Sequence, residues 1–299
     1  MAPIVTVVIP VYNRDAQLRR ALRSIQEQTF ADFECIVIDD GSTIAISPIV
    51  ESLGDDRFIY LRNSQNAGPY NARVQGYRTM RGEIMVGLDS DDQAYPWMLG
   101  QAVKYLREVP AVDGVAGMHL RTSDGRLLVR VRGGRKIMHP ADYASRPQIP
   151  DCVGAVRRAV VDEWLEKRDD YFSLEVHQWF TFHMHHSMLF IDEPWTRYNV
   201  GGADRVTLQP QPQRQLDDYV KFLDEHLAYV EGTESVVLDE LLEDAWFGLW
   251  RAGRKEDAMR FAQHMEKRGL SKRSVIARRG LAKARRLLPV VAPPVRYVE

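Results

Sequence analysis

Cysteine is almost missing from this chain, and so is any long apolar run. Cys35 and Cys152 are the two cysteines among 299 residues. They are too few and too far apart for a disulfide framework or a thiolate metal cluster, which makes a reducing cytosol the natural compartment. The longest early apolar stretch, Ile4 to Val11, has no basic leader and falls well short of the roughly 20 residues that cross a bilayer. Neither a secretory leader nor a spanning helix is therefore expected. Two glycine-rich phosphate signatures are lacking as well. Pro10 and Tyr12 stand where a dinucleotide fingerprint would follow the first strand, and no Walker-type loop with its lysine occurs, which argues against a dehydrogenase and a P-loop ATPase. Net charge is only −1, but residues 267–286 carry nine Lys or Arg and no acid, so the remainder is acidic. An acidic main body without a recognition module argues against nucleic acid as a partner.

What is present is enough apolar material, 45% of residues, for one large globular domain with an appendage. Over the first 120 residues, β-branched runs alternate with helical patterns. That alternation predicts parallel strands joined by crossover helices, a doubly wound α/β domain. Strands are expected at Val5–Ile9, Phe33–Ile38, Phe58–Leu61 and Ile84–Leu88, and helices at Asp15–Gln28, Pro69–Met80 and Pro96–Glu108. Further strands are expected at Gly114–Met118, Leu127–Val131 and Cys152–Val156. In such sheets ligands bind beyond the carboxyl ends of the strands, where strand order reverses. Four polar loops follow the first four strands: Pro10 to Asn13, Asp39 to Ser42, Asn63 to Gly68, and Asp89 to Asp92.

Asp89-Ser90-Asp91-Asp92 places three carboxylates where a buried strand meets solvent. Taken alone, the tetrapeptide reads equally as a solvated turn or as an oxygen-donor site for magnesium or manganese on a phosphate. A calcium EF-hand loop is excluded, because Ala94 and Gly100 fall where Gly and Glu are required. Together with an aromatic face at Tyr12 and a carboxylate at Asp40 able to accept from a base imide, the loop suits a nucleoside diphosphate better than a dinucleotide.

Five segments carry a family resemblance: Val7-Val8-Ile9-Pro10-Val11-Tyr12-Asn13; Gln28-Thr29-Phe30-Ala31-Asp32-Phe33-Glu34; Val37-Ile38-Asp39-Asp40-Gly41-Ser42; Asn66-Ala67-Gly68 with Ala72-Arg73; and Leu88-Asp89-Ser90-Asp91-Asp92. In order and spacing they resemble the family 2 glycosyltransferases of the GT-A fold, over about a third of the chain. The resemblance implies a mostly parallel, Rossmann-like sheet flanked by helices, a nucleotide-sugar donor of the UDP type, Mn2+ or Mg2+, and inversion at the anomeric carbon. On it, Tyr12 stacks on the base, Asp40 bonds to the uracil imide, and Asp91 with Asp89 or Asp92 holds the metal. Pro10, Asn13, Asn66, Gly68, Arg73 and Ser90 complete the nucleotide site.

For the general base the family places an acid at the start of a helix well after the metal motif. Glu175, in Tyr171 to Phe180, occupies that place, with Val176 where a second acid is often found. With Ser173 as a cap, Glu175 reads equally as a favourable charge in a first helical turn. His177, two residues on, would point elsewhere on a helix and suits a substrate contact or a packed polar site. His183, His185 and His186 read as helix-surface or acceptor-lining residues before a transition-metal site, since no cysteine or HExxH pattern accompanies them. Related enzymes often carry a further histidine near Tyr198 to Thr207. Here glycines and Arg205 stand instead.

The organisation expected is a catalytic domain over residues 1–208, with its nucleotide-sugar half at 1–110 and its acceptor-side half at 111–208. A linker and helical extension follow at 209–299. In the extension, Leu238–Trp250 and Lys255–Lys267 read as a helix pair that packs on the catalytic domain or on a second subunit, as in a homo-oligomer. The basic stretch at residues 270–288 has a modest apolar stripe suited to peripheral contact with an anionic membrane on its inner face, or to a solvated helix. The function expected is an inverting glycosyltransferase acting on a glycan or lipid-linked acceptor in surface polysaccharide synthesis. The alternative is a nucleotide-sugar-binding relative that has lost catalysis and serves as an assembly subunit.

Overall fold

Seven consecutive residues from Val5 to Val11 carry no charge, and all seven are buried in strand β1 (Val5–Val11). A strand covered on both faces needs that kind of run, because neither face meets water. β2 (Phe33–Asp39) is equally buried although it contains Glu34. That carboxylate accepts hydrogen bonds from Thr6 Oγ1 at 2.7 Å and from the backbone N–H of Arg81 at 2.7 Å, and it pairs with the Arg81 guanidinium at 2.6 Å. A buried acid is tolerated only when paired in this way.

The computed structural model describes residues 2–123, 126–127, 136–140, 152–166, 182, 185–199, 213–232 and 236–271. They fall in two compact units that divide near residue 210. In the first unit, α1 (Ala16–Gln26) turns Leu18, Ala21, Leu22 and Ile25 inward at helical spacing. Each fully buried Leu or Ile contributes about 1.5–3 kcal/mol of hydrophobic stabilisation. α2 (Ser47–Glu51), β3 (Phe58–Arg62), α3 (Pro69–Thr79) and β4 (Ile84–Gly87) complete the crossover units.

The expected alternation is present, with shifted ends. β1 runs on through Pro10, which sits in mid-sheet without breaking it. The Val11 carbonyl accepts from Asp40 N on the β2 side and the Val8 carbonyl accepts from Leu88 N on the β4 side. By alternation Pro10 faces the β4 side, where pairing with β1 ends at Gly87, so its missing N–H removes no ladder bond. α4 (Met98–Glu108) starts two residues beyond Pro96. The preceding turn is held by Met98 N donating to Tyr95 O and by Thr29 N donating to Pro96 O.

β1, β2, β3 and β4 are mutually parallel in the order β3-β2-β1-β4. Strand order therefore reverses between β1 and β4. Beyond β4 the sheet is mixed. β9 (Cys152–Arg157) lies antiparallel between β4 and β6 (Gly114–Ser123), and β10 (Met188–Asn199) runs parallel to β6. β5 (Gln93–Ala94) and β8 (Lys136–Met138) pair antiparallel with β10, and β7 (Arg126–Leu127) with β6. β6 is longer than expected. Of the strand expected at Leu127–Val131, residues 128–131 lie outside the described residues. α5 (Arg158–Glu166) follows β9 directly.

The second unit holds α6 (Gln213–Gly232), α7 (Val236–Arg251) and α8 (Lys255–Lys267). α7 buries Leu241, Leu242, Ala245, Trp246 and Leu249, and α8 buries Ala258, Phe261, Ala262 and Met265. Arg254, between them, pairs with Asp257 at 2.7 Å and with Asp217 of α6 at 2.5 Å. The basic stretch at 270–288 lies outside the described residues beyond Ser271.

Candidate active site

The loops after β1, β2, β3 and β4 meet at the carboxyl edge of the sheet, at the reversal between β1 and β4. Buried polar groups hold them together. Asp40, 3% exposed, accepts three hydrogen bonds from the loop after β3. Its Oδ1 takes Asn63 Nδ2 at 2.7 Å and Ala67 N at 3.0 Å, and its Oδ2 takes Gly68 N at 2.8 Å. An ionised carboxylate offers about four lone-pair positions, so one remains for a ligand.

Two glycines make this meeting possible. A Cβ on Gly41 would stand 2.7 Å from the Gln65 backbone, and its φ is +72°. Gly68 takes φ 92° as the residue before α3, while Pro69 starts the helix with the φ it needs. Asn13 is the one described non-glycine residue at positive φ, 53°, a conformation asparagine tolerates. Its N–H donates to Ser42 Oγ at 2.9 Å, and its Oδ1 accepts from Thr43 N at 2.7 Å and Thr43 Oγ1 at 3.0 Å. The first loop is thereby clipped to the second, with Tyr12 44% exposed at their rim.

Behind this clip sits Asp39, fully buried. Burial pushes its carboxyl pKa up. Hydrogen bonds from Ser42, then Tyr60 Oη and the Arg62 guanidinium, more than offset that and hold it below the ordinary range. Arg62 also donates to Ser42 O at 2.8 Å. Asp39 therefore stays charged as an internal brace, whereas Asp40 faces the third loop.

The acidic loop is a turn, with Asp92 N donating to Asp89 O at 3.0 Å, and Ser90 and Asp92 are each 2% exposed. Asp91 Oδ1 pairs with Arg14 Nη1 at 2.9 Å, and the same nitrogen lies 3.3 Å from Ser90 Oγ. Asp89 pairs with Arg73 of α3. Arg14 thus bridges the two strands between which the order reverses. Hard cations shared with a substrate phosphate take only one or two protein carboxylates. Asp91 with Asp89 or Asp92 would be the carboxylates available for such a set, while among the described residues no group of three or more acidic, histidine or cysteine side chains is placed to cage an ion. The donor set fits a cation held jointly with a diphosphate.

Of the expected nucleotide residues, the structure brings together Pro10, Tyr12, Asn13, Asp40, Gly68, Arg73 and Ser90, with Asn66 half-buried in the third loop. Glu175, His177, His183 and Arg205 lie outside the described residues. His186 stands 3.4 Å from Asp113 and 3.3 Å from Glu163, two residues before Met188. Met188 pairs with Gly114, level with the start of β4, so His186 is at the opposite edge of the sheet from the acidic loop. Reading the sequence missed Arg14 as a site builder and gave Asp39, Gly41 and Ser42, within the second polar loop, no role of their own. The available signal was position, since Arg14 directly follows Asn13 and the other three flank Asp40.

A family model described as Glycosyl transferase family 2 matches residues 6–165, which include all four loops. The chain belongs to glycosyl transferase family 2. It is 37% identical over 94 residues to a Campylobacter jejuni GalNAc(5)-diNAcBac-PP-undecaprenol beta-1,3-glucosyltransferase, covering 30% of each chain. It is 32% identical over 130 residues to an uncharacterized glycosyltransferase of Rickettsia bellii, covering 44% of this chain. The chain spans 19%, 22% and 17% of the length of three Rickettsia relatives. The S. aureus TarS 1-349 structure in complex with UDP-GlcNAc matches with a TM-score of 0.62 at 16% identity, over 90% of this chain and 93% of TarS 1-349. The likeness is one of fold, and this family 2 member has the GT-A architecture: a mostly parallel core sheet with flanking helices, followed by C-terminal helices.

Proposed function

We propose that this family 2 member transfers a sugar, with inversion, from a nucleoside diphosphate donor of the uridine type to a hydroxyl of a glycan or lipid-linked acceptor in surface polysaccharide synthesis. The observation that carries the reading is the convergence of four strand-end loops on an arginine-paired acidic turn at the sheet's reversal point, where open α/β sheets bind ligands. UDP-bound TarS structures and a lipid-linked-glycan relative support the donor and acceptor classes.

In this reading Tyr12 offers its exposed face to the base, and Asp40 accepts from the base imide with its remaining lone pair. Asp91 with Asp89 or Asp92 holds Mn2+ or Mg2+, which when bound supplies Lewis-acid stabilisation of the departing diphosphate. Arg14 and Arg73 add positive charge beside the phosphates, where charge develops as the bond breaks. Glu175 acts as general base. As the acceptor oxygen attacks the anomeric carbon, its proton passes to the Glu175 carboxylate, the bond from carbon to phosphate oxygen breaks, and the electron pair leaves with the diphosphate. We place the work at the cytosolic membrane face, with residues 270–288 as a peripheral contact, because their basic charge suits anionic lipid.

The test is UDP release from a panel of UDP-sugars with Mn2+, comparing wild type with Asp91→Ala and Glu175→Ala. Both variants should lose at least about 100-fold in rate, and Glu175→Ala should still bind UDP. Full activity in Glu175→Ala removes that residue as the base. Failure of wild type to bind any nucleoside diphosphate overturns the donor site.

A further inference from the structure

Two guanidinium groups from different elements already pair with two of the three carboxylates of the acidic turn. Arg14, from the loop after β1, holds Asp91 Oδ1 at 2.9 Å with side chains 16% and 21% exposed, whereas Arg73, itself 10% exposed, holds an Asp89 that is 45% exposed. An exposed pair is screened and weak, while a pair withdrawn from water is stronger. Of the two, the Arg14 pair is the one with both partners withdrawn from water. Its Nη1 also meets Ser90 Oγ at 3.3 Å, and Ser90 is buried. Arg14 is thus held by two neighbouring residues of the turn, and a guanidinium carries its charge at any ordinary pH.

We infer that Arg14 is a resident counter-cation, which releases Asp91 to a divalent cation only when a nucleoside diphosphate offers its oxygens to the guanidinium in exchange. The inference rests on the donor-site reading above and extends it to the order of loading. A divalent cation entering alone has to share Asp91 with Arg14, and two like charges are then forced together around one carboxylate. A diphosphate removes that conflict, since its oxygens bind guanidinium and metal alike, and Arg is the side chain best shaped for phosphate oxygens. Cation and diphosphate binding are then coupled, and the coupling is the same whichever is measured. While the site is empty, Arg14 offsets the charge of Asp91 and holds the turn in shape.

The experiment uses the full chain and two binding readouts. Mn2+ affinity is read from the electron paramagnetic resonance signal of the free ion, with and without saturating UDP, and UDP affinity is read by calorimetry with and without Mn2+. Wild type should bind Mn2+ weakly alone and roughly tenfold or more tightly with UDP. Arg14→Met should bind Mn2+ alone about tenfold more tightly than wild type, the size expected for removing one charge-assisted competitor, and its enhancement by UDP should shrink. Arg14→Gln serves as a second uncharged variant should the first not fold, and Arg14→Lys, which keeps the charge, should stay closer to wild type. Uncharged variants that keep wild-type Mn2+ affinity and wild-type coupling to UDP overturn the role of Arg14 while leaving the donor site standing. A folded wild type that binds neither UDP nor Mn2+ with UDP overturns the donor-site reading itself.

Discussion

Asp40→Asn should destabilise the first unit before any ligand is considered. In the native protein, Asp40 Oδ1 accepts from Asn63 Nδ2 and Ala67 N, and Oδ2 accepts from Gly68 N at 2.8 Å. An asparagine oxygen at the Oδ1 position keeps the first two bonds, but its amide then points N–H groups at the Gly68 N–H. One hydrogen bond to a charged group is lost, about 1.5–3 kcal/mol, and a buried donor is left facing another donor, about 1–3 kcal/mol. Because part of the desolvation is shared between these two effects, the expected loss is about 2–4 kcal/mol. For a unit of roughly 200 residues that lowers the melting temperature by roughly 5–15 °C. Scanning calorimetry of the ligand-free full chain reads it directly. A shift below about 2 °C would refute the reasoning that this carboxylate ties the second loop to the third, and would leave Asp40 as a ligand group only.

Three further outcomes follow from the same geometry. Gly41→Ala should cost about 1–3 kcal/mol, because its Cβ would meet the Gln65 backbone at 2.7 Å at a positive φ; urea unfolding checks this, and an unchanged midpoint counts against the close approach. Tyr12→Ala should leave stability within about 0.5 kcal/mol, since the ring is 44% exposed, yet weaken UDP binding by calorimetry; equal UDP affinity removes Tyr12 from the base site. Asp39 has a folded pKa below its ordinary 3.8, so its stabilisation is fully present above that value and is lost as pH falls through the lower folded one. The stability gap between wild type and Asp39→Asn, measured by urea unfolding at about pH 6 and about pH 3, should therefore narrow on the acid side, and a gap that widens there contradicts the assignment.

The first four strands were legible because a run such as Val5–Val11 or Phe33–Asp39 states its own burial, and hydrophobic periodicity is a local property. The ends of elements were less so. Pro10 reads as a strand terminator until its position opposite the end of β4 is known, and Pro96 reads as a helix start until the Tyr95 turn is seen. The mixed half was hardest, since β9 lies antiparallel between β4 and β6, strands far from it or from each other along the chain. The Lys255–Lys267 helix was readable from its inward Ala258, Phe261, Ala262 and Met265 alone.

The same division holds at the site. Tyr12, Asp40 and the acidic tetrapeptide stand out by residue type and by following buried runs, so the proposal of a donor site at the strand ends could be framed along the chain. Pairing could not. Arg14 meets Asp91 across 77 positions and Asp40 meets Gly68 across 28, because crossover helices return each strand beside a chosen neighbour and the order reverses between β1 and β4. Side-chain type travels with the residue, but which charge neutralises which is decided by strand order, and strand order is settled only when the whole sheet closes around its core.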